Sequence, residues 1–120
     1  MSIFTYKNMV MTELSRFKAD FFRALAHPLR IRIVDELRSG ELTVQELGFR
    51  LGAEQSTVSR HLAVLRGRGI LNARKEGQTV RYSAADATLF RLLDVARTMF
   101  NHQLSELQST LADLKHGNSR

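Results

Sequence analysis

From Glu13 onward, apolar residues recur at helical steps. Leu14, Phe17, Phe21 and Leu25 fall on one stripe, with Phe22 beside it. Ala26-His27-Pro28 interrupts that pattern, and Pro28 suits the first position of a new helix, where its missing N–H costs nothing. Leu29, Ile33, Val34 and Leu37 carry this second helix to a stop at Ser39-Gly40. Thr43-Val44-Gln45-Glu46 has the residue types of a capping box, and Val44, Leu47 and Leu51 then face inward. Gly52 permits a tight turn. A fourth helix starts near Glu54 or Gln55 and runs to about Arg66, with Val58, Leu62 and Leu65 on its inner face. Beyond Gly67 and Gly69 the period changes to two. Residues 70–75 and 79–84 read as strands joined by Glu76-Gly77-Gln78, with Val80 and Tyr82 on one face and Thr79, Arg81 and Ser83 on the other.

A last helix starts near Asp86 and continues to about Lys115, with Leu89, Leu93, Ala96, Phe100, Leu104, Leu107, Leu111 and Leu114 on one stripe and Leu92, Val95 and Met99 on a second. Such a helix exposes a large apolar surface on a single chain. The pattern therefore predicts a partner helix from a second subunit, against the alternative of burial within one chain. Phe17 and Phe21 of the first helix and Leu93, Phe100, Leu104, Leu107 and Leu111 of the last are the expected pairing residues. Residues 1–12 show no period and are expected to be poorly ordered; residues 116–120 read as a tail. The fold class is mainly α with a small β-hairpin, in one domain over residues 13–115.

Charge sharpens this outline. The 120-residue chain has a net charge of +6. Residues 1–53 carry eight basic and six acidic side chains, residues 54–84 six and two, and residues 85–120 four and four. The excess thus sits on the fourth helix and the hairpin, with Arg74, Lys75 and Arg81 near the hairpin tip. Helix, turn, helix and basic ribbon form a layout for holding duplex DNA. Gln55, Ser56, Ser59, Arg60 and Thr57 turn outward from the fourth helix. A glutamine there can pair with adenine, an arginine with guanine or a phosphate, and short hydroxyls permit close phosphate approach. Capping is the alternative role for Ser56 and Thr57, and packing is an equal alternative for His61; Arg30 and Arg32 are most simply solvated, with a DNA backbone contact or pairing with Asp35 and Glu36 as the alternatives. No cysteine is present, which excludes disulfides and thiolate metal sites. No stretch has the length of a membrane span or an apolar leader, so the reading is cytoplasmic. No nucleophile–base pair or phosphate loop marks an enzyme.

Ala26-His27-Pro28-Leu29-Arg30, Glu41-Leu42-Thr43-Val44-Gln45-Glu46-Leu47, the run from Gln55 to Leu65, and Gly69-Ile70-Leu71 resemble the ArsR/SmtB family of bacterial repressors over roughly residues 13–105. The resemblance implies a homodimeric winged helix-turn-helix protein, paired through its N- and C-terminal helices. It implies binding to an inverted-repeat operator and release by an effector. It places DNA-reading roles on Gln55, Ser56, Thr57, Ser59, Arg60 and His61, and wing contacts on Arg74, Lys75, Gln78 and Arg81. Glu54 departs from the Ser or Thr often found at that helix start.

The family's cysteine metal site is missing, since Thr43 and Gln45 stand in its places. Of its zinc site on the last helix, Asp86 and His102 match the outer positions, while Thr88 and Met99 replace the inner two. The expectation is therefore no metal and no cofactor, with a small-molecule effector left open. Two rivals are a metal-responsive repressor using Asp86, His102, His116 and nearby carboxylates, and a winged helix that binds protein. The operator, the regulated genes and the effector are not legible.

Overall fold

Ile33, Val34, Leu47, Val58, Leu62 and Leu65 have no solvent exposure, and Leu71 has 1%. They come from three helices and one strand, and each such side chain contributes about 1.5–3 kcal/mol on burial. The elements around this core were traced in a computed structural model that describes residues 2–117. The chain divides into two units, residues 1–86 and 87–120.

In the first unit, α1 (Ile3–Leu25) precedes α2 (Pro28–Glu36), which ends in a single 3-10 turn, Leu37–Ser39. A two-residue strand β1 (Leu42–Thr43) leads into α3 (Val44–Leu51), then α4 (Gln55–Gly67), then the hairpin β2 (Leu71–Glu76) and β3 (Thr79–Ala84). The sheet is antiparallel in the order β1-β3-β2. Pro28 opens α2 as expected, and His27 caps it, its Nδ1 accepting the Leu29 N–H at 3.1 Å. The capping box of α3 is formed, with Thr43 Oγ1 accepting from the Glu46 N–H and Glu46 Oε1 from the Thr43 N–H, both at 3.1 Å.

Three features differ from the sequence reading. Residues 3–12 were expected to be poorly ordered, yet they form the first ten residues of α1. Ser2 Oγ accepts the Thr5 N–H at 3.2 Å and caps the helix, and no Pro or Gly interrupts it. All ten are exposed, so no buried face imposes a period on them. Second, β1 adds a third strand to the expected hairpin. Two residues are too short to show alternation, and only their pairing with β3 (Leu42 with Tyr82, Thr43 with Arg81) defines the strand. Third, the hairpin turn is tighter, because Glu76 pairs with Thr79 and leaves only Gly77 and Gln78 between the strands.

The second unit is α5 (Thr88–Gly117), 30 residues long. His116 and Gly117 continue this helix, whereas the rest of the expected tail, like Met1, lies outside the described residues. Leu89 is buried and Leu93 half-buried. Phe100, Leu104, Leu107, Leu111 and Leu114 are 52–63% exposed. On α1, Leu25 is buried, Phe21 half-buried, and Phe17 71% exposed. The apolar stripes exist as expected, and most of their area is uncovered in the single chain.

Candidate nucleic-acid interface

Helix α4 is divided by its sequence into two faces. Val58, His61, Leu62 and Leu65 recur at steps of three, one and three, and all four are buried. Gln55, Ser56, Ser59 and Arg60 are exposed on the opposite side, with Thr57 half-buried between. The turn before α4 fixes how that outer face is presented. Gly52 ends α3 in the left-handed conformation, at φ 63°. Gly48 lets the next segment come close: a Cβ there would lie 3.0 Å from the Ala53 carbonyl oxygen. The Ala53 N–H donates to the Gly48 carbonyl at 3.0 Å, which closes the turn.

The N-terminus of α4 has no side-chain cap. Glu54 stands in the cap position with extended backbone but makes no capping hydrogen bond. The first turn of the helix thus lacks a side-chain cap, at the end where the helix dipole favours an anion. The capping role considered for Ser56 and Thr57 is not what the structure shows. Arg60 is exposed and, among the described residues, makes no ion pair.

His61 corrects the sequence reading. It is 8% exposed, and its ring centroid lies 4.3 Å from that of His27. Its Nδ1 accepts a hydrogen bond from Arg30 Nε at 3.1 Å. Arg30 also donates from Nη1 to the Ala24 carbonyl at 3.1 Å, tying the inner face of α4 to the end of α1. Burial pushes the His61 imidazole below its ordinary value, and His27, Arg30 and Arg60 push the same way. His61 therefore holds the helix and does not face outward. The signal was legible, since position 61 lies three residues after Val58 and four before Leu65. Arg30, which read as solvated, had no such signal, because its partner is 31 positions away.

The wing is arranged differently. Arg74 and Arg81 are paired directly across β2 and β3, so they share one face of the sheet. Lys75 pairs with Val80 on the other face, so the three cations do not form one cluster. Two arginines directly opposite repel each other, and carboxylates offset this. Arg74 donates from Nε and Nη2 to the two oxygens of Glu41, each at 3.1 Å. Arg74 Nη2 also lies 3.2 Å from Glu76. Arg81 Nε donates to Glu76 at 3.1 Å, and Arg81 Nη1 is 3.8 Å from Glu46. The Arg74 guanidinium holds Glu41 below the usual carboxylate range, and Glu41 in turn raises Arg74. Glu46 is also lowered, first by the Thr43 N–H it accepts. Gln78 sits exposed in the turn.

Among the described residues, no three of His, Cys, Asp and Glu come together as a metal-holding group. His102 and His116 are exposed on α5. No helix among the described residues is long and apolar enough to cross a membrane.

Comparison with known proteins bears on this surface. The profile of bacterial regulatory proteins of the arsR family matches residues 27–73, from the cap of α2 into β2. The uncharacterized HTH-type transcriptional regulator Rv0081 of Mycobacterium tuberculosis is 41% identical over 107 residues, covering 88% of this chain and 94% of that protein. Its crystal structure aligns with a TM-score of 0.71 over 78% of this chain and 94% of that one. A homodimeric winged helix-turn-helix DNA-binding domain from Mycobacterium bovis, solved by NMR, aligns with a TM-score of 0.73 at 28% identity, over 80% of this chain and 89% of that one. The transcriptional repressor BigR from Xylella fastidiosa aligns with a TM-score of 0.66 at 31% identity, over 78% and 95%.

Proposed function

The chain belongs to the ArsR family of bacterial regulatory proteins and is a DNA-binding transcriptional regulator, not an enzyme; on that premise we propose that it is a homodimeric repressor of an inverted-repeat operator, released by an effector. The observation that carries the proposal is the split of α4, whose inner face is buried while Gln55, Ser56, Ser59 and Arg60 stand exposed on the other side. Two copies of that face, one from each subunit, enter successive major grooves about 34 Å apart. Gln55 and Arg60 read base edges. Ser56, Thr57 and Ser59 approach phosphates at the uncapped helix start, where the Glu54 carboxylate weakens the nearest contact. Arg74, Lys75, Gln78 and Arg81 grip the flanking backbone, with Lys75 reaching it from the opposite sheet face. His61 is not among the contacts.

The dimer rests on apolar residues of α1 and α5: Phe17, Phe100, Leu104, Leu107 and Leu111, all exposed in the single chain, with the half-buried Phe21 and Leu93 beside them. A charge in that surface separates the subunits: Leu107→Asp is expected to sediment as a monomer and to lose operator affinity, and an unchanged dimer would remove α5 from the pairing.

The test of the whole reading is fluorescence anisotropy of a duplex from the protein's own promoter, with and without divalent metals, paired with a promoter-fusion assay. Salt-sensitive binding that lowers expression supports the repressor. Binding that raises expression makes the protein an activator. Binding abolished by one metal moves the effector site to the α5 histidines. Absence of binding in every condition overturns the reading.

A further inference from the structure

Glu41 stands just before β1, two positions before Thr43, which pairs with Arg81; Arg81 in turn pairs with Arg74. This places Glu41 on the same sheet face as both wing arginines. Its two oxygens accept from Nε and Nη2 of Arg74, which form the edge of a guanidinium that takes a phosphate bidentately. Glu76 occupies the same Nη2 from the other side and holds Arg81 as well. The wing thus presents its arginines with their best phosphate-binding edges already filled by carboxylates.

We propose that Glu41 is a lock on the wing, occupying the phosphate-binding edge of Arg74 until the DNA backbone displaces it. The proposal rests on the reading that Arg74 contacts the backbone. A phosphate and the Glu41 carboxylate have the same charge and the same bidentate geometry, so they compete for one site. Binding therefore exchanges one ion pair for another, and it releases fewer ions than six cations on residues 54–84 would suggest. Glu41 and Arg74 are both well exposed, with side chains 37% and 54% accessible, so the exchange needs no unfolding.

The test is a double-mutant cycle on the full-length protein, read by anisotropy of the promoter duplex across a salt series. Glu41→Gln is expected to tighten binding about two- to fivefold beyond any gain it gives in an Arg74→Ala background. It is also expected to steepen the salt dependence by roughly one unit. Simple removal of a negative charge near DNA would give the same gain in both backgrounds, and that result overturns the lock while leaving the wing contact standing. Weaker binding by Glu41→Gln overturns it too, because Glu41 would then orient Arg74 for the backbone. If Arg74→Ala alone changes neither affinity nor salt slope, the wing contact falls and the lock falls with it. Unchanged urea midpoints for each variant confirm that folding is not the cause.

Discussion

Arg60 on α4 and Arg81 on β3 are both cations on the surface proposed to meet DNA, and they differ in their company. Arg60 makes no ion pair among the described residues. Arg81 lies between Glu76 and Glu46 and opposite Arg74, which is itself held by Glu41 and Glu76. The helix has its cation ready and the wing has its cations satisfied. Net charge therefore measures what a surface carries, not what it can offer. In the helix, the buried stripe fixes position and leaves the other face uncommitted. In the wing, two strands place arginines opposite each other, and neighbouring carboxylates offset their repulsion before any ligand arrives.

The largest expected effect removes both regions together. Leu62 has no exposure and lies on the buried face of α4. Leu62→Ala should cost about 2–5 kcal/mol, a large share of the roughly 5–15 kcal/mol that holds a small domain. Urea denaturation should show it, and loss of less than 1 kcal/mol would mean that α4 is not anchored through this core. The next effect separates the regions. Arg60→Ala should cost roughly 1–3 kcal/mol on the operator and relax discrimination at one base position. Arg81→Ala should weaken operator and unrelated duplexes alike, lower the salt slope by less than the roughly one unit a free cation would give, and act more weakly than Arg60→Ala, because Arg81 leaves its carboxylates to bind. If the two variants respond identically to DNA sequence, the contrast between helix and wing collapses.

The fold was largely legible because its signals are local. Val58, Leu62 and Leu65 announce a helix face, Thr43 with Glu46 announces a cap, and Gly77 sits between two alternating runs. Where the reading missed, the deciding partner was distant or the segment had no buried face. Arg30 reads as surface until His61 arrives from 31 positions away. Glu41 opens a stretch that resembles the family but carries no signal of an ion pair, and only the β1-β3-β2 order brings it to Arg74 across 33 positions. The exposed start of α1 has no period to display. His61 is the exception, since its spacing already placed it inside, and the family resemblance drew it outward.

The smallest expected effect belongs to His61 and distinguishes the two regions by pH. Its Nδ1 accepts from Arg30 Nε, which requires the neutral imidazole. The folded state holds its pKa below the ordinary 6.5, so on lowering the pH the unfolded chain binds this proton first. The stability His61 contributes is therefore whole above about pH 7, declines as pH falls below 6.5, and is lost once pH passes the folded value. Glu41 and Glu46 are also lowered, but from 4.5, so their contributions decline in a separate, more acidic window. Urea midpoints measured between pH 8 and pH 5 should fall toward acid in the native protein and flatten in His61→Gln, whose side-chain oxygen can still accept from Arg30. A slope that survives the substitution would assign the proton to another group. A slope that vanishes places the pH sensitivity of this interface beneath α4, and leaves the wing governed by salt.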